Sequence, residues 1–388
     1  MKNLNKITAL LLSAGMVGSL AACGGGNAAQ SAAPAGSAAP SDGGDAAVVS
    51  KVALVTDVGT IDDESFNQAC WQGVEEWSKA NGVDYTYYQP TEDSTDARLV
   101  SITQAVNEGA NVIVMPGYLF GEALATAQDQ FPDVKFIAVD VGSGDLGTDA
   151  AANSVCITFA EEQAGYLAGY AAVADGYTKL GYLGGMAVPA VQRYGYGYVQ
   201  GADAAAQALD KDIQINYTYG GQFFGDATIT AKMEGWYQNG TEIVFACGGG
   251  IYTSAVEAAV QYDGMVIGVD VDQHPVGEAK NEDGSAKYSY NPFLTSAMKG
   301  LQATTETALD DLNNGNWDNY GGKFLTMSLA EGDYVGLPTD DASWCFKTFT
   351  KDEYQTLVDG IKDGSIAISN DISAMPQVSE HTTVNEIG

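Results

Sequence analysis

Three aspartates stand directly after short apolar runs of the sequence and are candidates for binding a polar solute. Asp57, Asp140 and Asp270 follow the runs KVALVT, KFIAV and MVIGV. Runs of this length and composition are typical of buried strands, so each aspartate is expected at a strand end. An ionised carboxylate at such a position can accept hydrogen bonds from hydroxyl or amino groups of a ligand.

The residue types that catalysis or a metal site requires are sparse. The only histidines are His274 and His381, and the chain contains no GxSxG, Walker A or HExxH sequence. The acidic cluster of Asp62, Asp63 and Glu64 lacks the spacing of an EF-hand loop, and acids are favoured at the start of a helix. We therefore expect no catalytic residue, no bound metal and no cofactor.

The apolar pattern predicts the elements that position these residues in the first part of the folded chain. Strands are predicted at residues 51–56, 83–89, 112–115 and 135–139, with helices at 95–108 and 121–130. A further helix, with Phe66 on its apolar stripe, follows the first strand. Thr60 and Asp63 fit a capping box at its start.

The same pattern then restarts. Helices are predicted at residues 161–174, 190–208, 227–238, 252–262 and 294–313, and strands at 180–183, 213–219, 242–246 and 265–269. Because strands alternate with helices, both sheets are expected to be parallel. The predicted fold class is α/β, with two doubly wound parallel-sheet lobes and a ligand cleft between them.

The lobes are expected to share the chain unevenly. The first should comprise residues 49–172 plus about 295–320, and the second residues 173–294 plus about 321–388. In doubly wound sheets, ligands bind beyond the carboxyl ends of the strands. The cleft is therefore expected where the strand-end aspartates converge, with lobes that open and close about a hinge.

The first 48 residues predict export and lipid anchoring. Lys2 and Lys6 precede an apolar stretch that is too short and interrupted to span a bilayer and that ends in the sequence LAAC at Cys23. We predict a lipoprotein signal peptide over residues 1–22, lipidation of Cys23 and a flexible tether over residues 23–48. Two acyl chains on Cys23 would hold the protein stably on the extracytoplasmic face of the cell membrane.

Charge and cysteine usage exclude several classes of protein. The chain has 17 basic and 50 acidic residues and a net charge of −33, which disfavours binding to nucleic acid or to anionic lipid. Besides Cys23, the cysteines show no CxxC or metal-type spacing, and Cys70, Cys156 and Cys247 stand among apolar neighbours, so buried free thiols are expected at these three positions. We expect a monomer that contacts the membrane only through its lipid anchor.

Several segments, taken in order, resemble the basic membrane protein (BMP) family of ABC-transporter substrate-binding lipoproteins, which includes purine nucleoside receptors. They are VTDVGTIDDESFNQ at 55–68, FAEEQAGYLAG at 159–169, LGGM at 183–186, IGVDVDQ at 267–273 and LTSAMK at 294–299. The resemblance implies a fold similar to type I periplasmic binding proteins. It also implies a nucleoside ligand and partnership with ABC permease and ATPase subunits.

The resemblance further implies residues of the first lobe that would contact the ligand. In nucleoside-binding relatives, aromatic rings sandwich the base, and an aspartate and a lysine hold the ribose. Carried over to this sequence, Asp57, Phe66 and Asn67 would line the first lobe's share of the pocket. Asp140 is a further candidate.

In the second lobe, the resemblance implies that Phe223 supplies the facing ring and that Asp270 and Lys299 hold the sugar. The doubled phenylalanine leaves Phe224 as an alternative to Phe223. Closure of the lobes is expected to bring Asp270 and Lys299 together. The stretch 274–293 is longer than is usual in the family, and the residues after Lys299 also depart from its pattern.

Three other functions stay open at this point. The first is a receptor for another flat heterocycle, such as a flavin. The second is a surface enzyme that acts on nucleosides through calcium and the aspartates Asp57, Asp62 and Asp63. The third is a sensor that presents its ligand to a membrane kinase.

Overall fold

The computed structural model describes residues 49–387 of the chain. The predicted signal peptide, the tether and the lipidation site Cys23 lie outside the described residues. Between residues 49 and 387, no helix is both long and apolar enough to cross a membrane.

Strands and helices alternate along most of this range. The strands are β1 (Lys51–Val55), β2 (Asp84–Tyr88), β3 (Val112–Pro116), β4 (Lys135–Val139), β5 (Ser154–Phe159), β6 (Lys179–Gly184), β7 (Ile213–Tyr219), β8 (Ile243–Cys247), β9 (Met265–Asp270), β10 (Phe293–Lys299), β11 (Lys323–Met327), β12 (Val335–Gly336) and β13 (Thr382–Glu386). The α-helices are α1 (Phe66–Asn81), α2 (Thr95–Asn107), α3 (Gly121–Gln130), α4 (Ser143–Leu146), α5 (Glu161–Ala174), α6 (Pro189–Leu209), α7 (Ala227–Gln238), α8 (Tyr252–Ala259), α9 (His274–Gly277), α10 (Leu301–Asn313) and α11 (Lys351–Lys362).

The first lobe is built on a six-stranded sheet in the order β11-β5-β4-β3-β1-β2. Each neighbouring pair in it is parallel. The central strands are buried on both faces, as in β1, where Val52, Leu54 and Val55 are fully buried. Helices cover both faces of such a sheet, which explains why these strands are continuous apolar runs without alternation.

The second lobe has a seven-stranded sheet in the order β12-β10-β9-β8-β6-β7-β13. Its strands are parallel except for β12, which pairs with β10 in the antiparallel direction. The predicted α/β class with two parallel sheets is therefore confirmed, apart from this two-residue strand at one edge.

The prediction of a single helix over residues 294–313 is wrong. Residues Phe293–Lys299 form strand β10, and the helix α10 begins only at Leu301. Six of the seven residues of β10 are buried, because the strand lies inside the sheet. A short run that is buried on both faces cannot be told from a helix by periodicity. Strands β5, β11, β12 and β13 were also missed.

The division of the chain between the lobes differs from the expected one at two strands and at helix α5. Strand β10 lies in the second sheet, and β11 lies in the first. The chain passes from β5 to α5 through Ala160 and from β10 to α10 through Gly300. Helix α5 packs on α6 of the second lobe so closely that a Cβ on Gly165 would collide with the carbonyl oxygen of Tyr194.

Helix α10 conversely packs on the first lobe, where the Trp77 indole of α1 donates a hydrogen bond of 2.5 Å to the Asp310 carboxylate. Each of the two passages therefore takes the chain from one lobe to the other. A third passage joins β11 to β12. Several short connections between two lobes are typical of hinged binding proteins.

Candidate ligand site

A cavity of about 540 Å³ lies between the carboxyl ends of the strands of the two lobes. This volume is within the range of pockets that enclose small organic ligands. All seven ligand-binding residues implied by the sequence resemblance line it, namely Asp57, Phe66, Asn67, Asp140, Phe223, Asp270 and Lys299. The structure thus brings together residues that are up to 242 positions apart in the chain, from Asp57 to Lys299.

Asp57 and Asn67 form one wall of the cavity in the first lobe. The Asp57 carboxylate accepts hydrogen bonds from the backbone N–H of Gly59 at 2.8 Å and from the Asn67 amide at 3.0 Å. Burial raises the pKa of Asp57 in spite of these hydrogen bonds, which lower it. The carbonyl oxygen of the Asn67 side chain is buried at this wall and accepts no hydrogen bond within the described protein.

The start of α1, which carries Phe66, is fixed by Asp63. Its carboxylate accepts from the backbone N–H groups of Ser65 at 3.0 Å, Asn67 at 3.1 Å and Gln68 at 3.1 Å. The expected capping box between Thr60 and Asp63 is wrong, because α1 begins later than the sequence pattern suggested and Asp63 alone binds the free N–H groups. The cap sets the position of Phe66 at the cavity.

Lys299 is the centre of the charged part of the cavity. Its ammonium group contacts the Asp140 carboxylate and lies 3.7 Å from Asp270 Oδ1 and 3.6 Å from Glu161 Oε1. It also lies 4.6 Å from the centre of the Phe66 ring, which is close enough for a cation–π interaction. Burial alone would lower the pKa of Lys299, but the three carboxylates outweigh it and raise that pKa above its ordinary value.

The way in which Asp270 and Lys299 meet differs from the expected one. They end the adjacent strands β9 and β10 of one sheet, so their proximity does not depend on lobe closure. The contact between lobes is the one from Lys299 to Asp140, which follows β4 of the first sheet. Burial raises the pKa of Asp140 to about 6, although the ammonium group of Lys299 opposes this rise.

Hydrogen bonds also join the two lobes beside this ion pair. The Ser65 hydroxyl of the first lobe donates to Asp270 Oδ2 at 2.6 Å. The Gln273 amide of the second lobe donates to the carbonyl oxygen of Glu64 at 2.9 Å. These contacts hold the lobes together at one end of the cavity, which is the arrangement of a closed binding protein.

Phe223 enters the cavity over a surface made of glycine. A Cβ on Gly185 would lie 2.5 Å from the Phe223 ring, and one on Gly248 would lie 2.9 Å from it. Gly248 also adopts a φ of 134°, which other residues rarely reach. The neighbouring Phe224 lines the cavity as well but is 61% exposed. Phe223 is therefore the phenylalanine whose ring is held in place by packing at the cavity.

Sequence reasoning missed two charged residues of this region, Glu161 and Arg193. Glu161 is fully buried at the start of α5, and the Arg193 guanidinium donates from Nε to Glu161 Oε2 at 2.6 Å. The available signal was the position of Glu161, which closely follows strand β5 as the aspartates follow their strands. The run SVCITF was not recognised as a strand, although Val155, Ile157 and Phe159 alternate with Ser154, Cys156 and Thr158 in the period-2 pattern that is typical of a strand.

The acidic residues considered as metal ligands do not form a metal centre. Among residues 49–387, no three His, Cys, Asp or Glu side chains converge in a way that could hold a metal ion. Asp63 is engaged as the cap of α1, and Asp57 accepts hydrogen bonds from the backbone N–H of Gly59 and from the Asn67 amide. Of the cysteines in the described part of the chain, Cys70, Cys156, Cys247 and Cys345 are free thiols.

Known proteins with similar sequences and structures agree with this architecture. Residues 50–368 match the family described as "ABC transporter substrate-binding protein PnrA-like". The chain is 31% identical over 326 residues to the "ABC transporter nucleoside-binding protein BmpA" of Lactococcus lactis subsp. cremoris, covering 80% of this chain and 87% of that protein. It is 28% identical over 290 residues to "Basic membrane protein A1" of Borrelia garinii subsp. bavariensis, covering 73% and 78%.

A solved structure of an ABC transporter solute-binding protein from Aeropyrum pernix K1 has the same fold, with a TM-score of 0.70 and 20% sequence identity. The similarity covers 84% of this chain and 94% of that one. The match to the family extends over both lobes and over every residue that lines the cavity. The chain therefore belongs to the PnrA-like family of ABC transporter substrate-binding proteins.

Proposed function

We propose that this protein captures a nucleoside, and a purine nucleoside by preference, in the cavity between its lobes. The observation that carries the proposal is the meeting of Phe66 with Lys299, whose ammonium group is flanked by Asp140 and Asp270. An aromatic face beside paired charges suits a flat base joined to a sugar with vicinal hydroxyls. The name of the Lactococcus lactis relative supports this ligand class.

In this proposal the cavity residues divide into a base end and a sugar end. Phe66 and Phe223 flank the base, while Asp57 and Asn67 face its polar edge. Asp270 and Lys299 bind the sugar, because a carboxylate accepts from a hydroxyl and an ammonium group donates to it. Asp140 holds Lys299 in place from the other lobe and helps to keep the lobes closed.

We further propose that the protein binds its ligand without transforming it. None of the residues that line the cavity is a histidine. The one cysteine among them, Cys247, is fully enclosed, and burial holds the pKa of its thiol well above the ordinary value. The lining residues therefore offer neither a histidine base nor a reactive thiol, which favours capture and release.

Delivery to an ABC permease and its ATPase subunits completes the proposed role. Lipidation of Cys23 would hold the monomeric protein on the extracytoplasmic face of the membrane, and the tether would let the lobes reach the permease. The charge of −33 supports a soluble body that does not dock on anionic lipid or nucleic acid.

Mass spectrometry of the ligand retained after gentle purification tests the proposal. We expect a purine nucleoside, released intact when the protein is denatured. Recovery of a flavin would favour the alternative receptor function. Incubation with inosine provides the second readout, since accumulation of free hypoxanthine would show an enzyme instead of a binding protein.

A further inference from the structure

A buried ion pair lies behind the sugar end of the cavity. Glu161 has 0% side-chain exposure and contacts two cations, Arg193 through Oε2 at 2.6 Å and Lys299 through Oε1 at 3.6 Å. Its Oε1 accepts no hydrogen bond within the described protein. Glu161 therefore stands between a guanidinium that it binds firmly and an ammonium group that it attracts only from a distance.

Glu161 and Lys299 both lie at points where the chain passes from one lobe to the other. Glu161 is the first residue after Ala160, and Lys299 is the last residue before Gly300. Ala160 and Gly300 have nearly the same backbone conformation, with φ and ψ of −85° and 65° in one and −77° and 56° in the other. The pair of Glu161 and Lys299 thus connects the two equivalent points at which the chain leaves each sheet.

The buried carboxylates around Lys299 outnumber its single positive charge, so the second cation, Arg193, determines where the Lys299 ammonium group lies. Three buried carboxylates, those of Asp140, Asp270 and Glu161, surround the single ammonium group of Lys299. A buried carboxylate that loses its partner is strongly unfavourable and draws in the nearest cation. Without Arg193, that cation would be Lys299, and the ammonium group would leave Asp140 and the ligand.

We propose that Arg193 is a positioning residue for ligand binding, which neutralises Glu161 so that Lys299 stays available to Asp140, Asp270 and the ligand. Arg193 lines the cavity, but in this account it acts through Glu161. The inference rests on the proposed function, because it takes Lys299 to contact the ligand.

Calorimetric titration of inosine into the full chain and three variants tests the proposal. Arg193→Gln should weaken binding by about tenfold or more, because it leaves Glu161 free to compete for Lys299. The double variant Arg193→Gln with Glu161→Gln should recover at least about fivefold of that loss, because no buried carboxylate is left without a partner. Arg193→Lys, which keeps a positive charge, should also recover part of it.

A purely structural role for Arg193 gives a different pattern. The variant Arg193→Gln would then melt at a lower temperature and bind inosine as the parent does, which would overturn the proposal. A double variant that binds inosine as weakly as Arg193→Gln does would also overturn the proposal, since the loss of affinity would then not act through Glu161. Lys79→Gln, which removes an exposed ion pair of 2.9 Å with Glu75, is the control for loss of a cation at the surface.

Two further outcomes are also decisive. If Arg193→Gln does not fold, the double variant and Arg193→Lys are compared with the parent, and a loss of more than about tenfold in the double variant contradicts the proposal. If the parent does not bind inosine, the proposed nucleoside function fails. The same variants are then titrated with the compound recovered by mass spectrometry, and the predicted order of affinities is unchanged.

Discussion

Asp140 and Asp270 approach the same ammonium group, that of Lys299, from the two different lobes. Each stands at the end of the fourth strand of its lobe, and each has a left-handed backbone conformation, with φ of 59° and 67°. Non-glycine residues adopt this conformation at some cost in free energy, and such strain is concentrated at functional sites. The same turn is therefore used twice, once in each lobe, to present a carboxylate to the cleft.

Substitution of Phe66 should lower the affinity for the ligand strongly and should lower the stability of the protein only slightly. The Phe66 ring is only partly buried and lies against the Lys299 ammonium group. A bound base could therefore stack on the part of the ring that is still exposed. We expect Phe66→Ala to reduce affinity for inosine by more than about tenfold, from lost stacking and lost buried area, and Phe66→Tyr to be milder. Calorimetry gives the affinity, and thermal unfolding checks stability. Normal affinity with reduced stability would assign Phe66 to the core.

Comparison of Phe223 with Phe224 tests which ring faces Phe66 across the ligand. Phe223 is seated on Gly185 and Gly248, whereas Phe224 is 61% exposed. We expect Phe223→Ala to lower affinity by about tenfold or more and Phe224→Ala to lower it by less than about threefold. Each variant is the matched control for the other. The opposite order would place Phe224 on the base.

Stability should depend on pH through Glu162, which is buried beside Glu161. Burial first, and then the neighbouring Glu161 carboxylate, raises the pKa of Glu162 from 4.5 to about 7. The folded protein therefore holds this proton more tightly than the unfolded chain does, so the unfolding free energy falls as pH rises from about 4.5 to about 7.

Removal of this charge should stabilise the protein only at higher pH. Glu162→Gln is expected to raise the unfolding free energy at pH 8 by on the order of 3 kcal/mol and to change it little below about pH 4.5. Chemical unfolding at several pH values measures the effect. Glu380→Gln, at an exposed position, is the control. A gain for Glu162→Gln that is equal at all pH values would argue against titration of this carboxyl.

The predicted lipid anchor can be tested by substitution of Cys23. Cys23→Ala removes the thiol to which the diacylglycerol would be attached, so the protein should accumulate as a precursor or leave the membrane for the medium. Fractionation of cells followed by immunoblotting measures this. A Cys23→Ala protein that stays on the membrane after loss of its signal peptide would show that the anchor lies elsewhere.

The residues at strand ends were predictable from the sequence because each follows a run that is buried on both faces. Asp57, Asp140 and Asp270 were found in this way, and the parallel sheets then place them at one cleft. The same logic would have found Glu161 if β5 had been recognised. Its alternation of Val155, Ile157 and Phe159 with Ser154, Cys156 and Thr158 is a period-2 strand signal, so this strand was predictable from the sequence and was overlooked.

The partners of the charged groups could not be predicted from the sequence. Lys299 and Asp140 are 159 residues apart, and their contact depends on the relative position of two lobes. The expectation for Lys299 was a helix start, whereas it ends a strand next to Asp270. The implied role of Lys299 at the sugar is compatible with a strand end or with a helix start. The carboxyl end of a strand and the start of the helix that follows it lie at the same edge of the sheet.

The most direct test of the proposed function is a calorimetric comparison of inosine, 2′-deoxyinosine and hypoxanthine. A hydrogen bond to a charged group contributes about 1.5–3 kcal/mol, so inosine should bind at least about tenfold tighter than its 2′-deoxy form and much tighter than the free base. Asp270→Ala should remove most of the difference between the two nucleosides. Equal affinity of the parent protein for all three compounds would contradict binding of the sugar by Asp270 and Lys299.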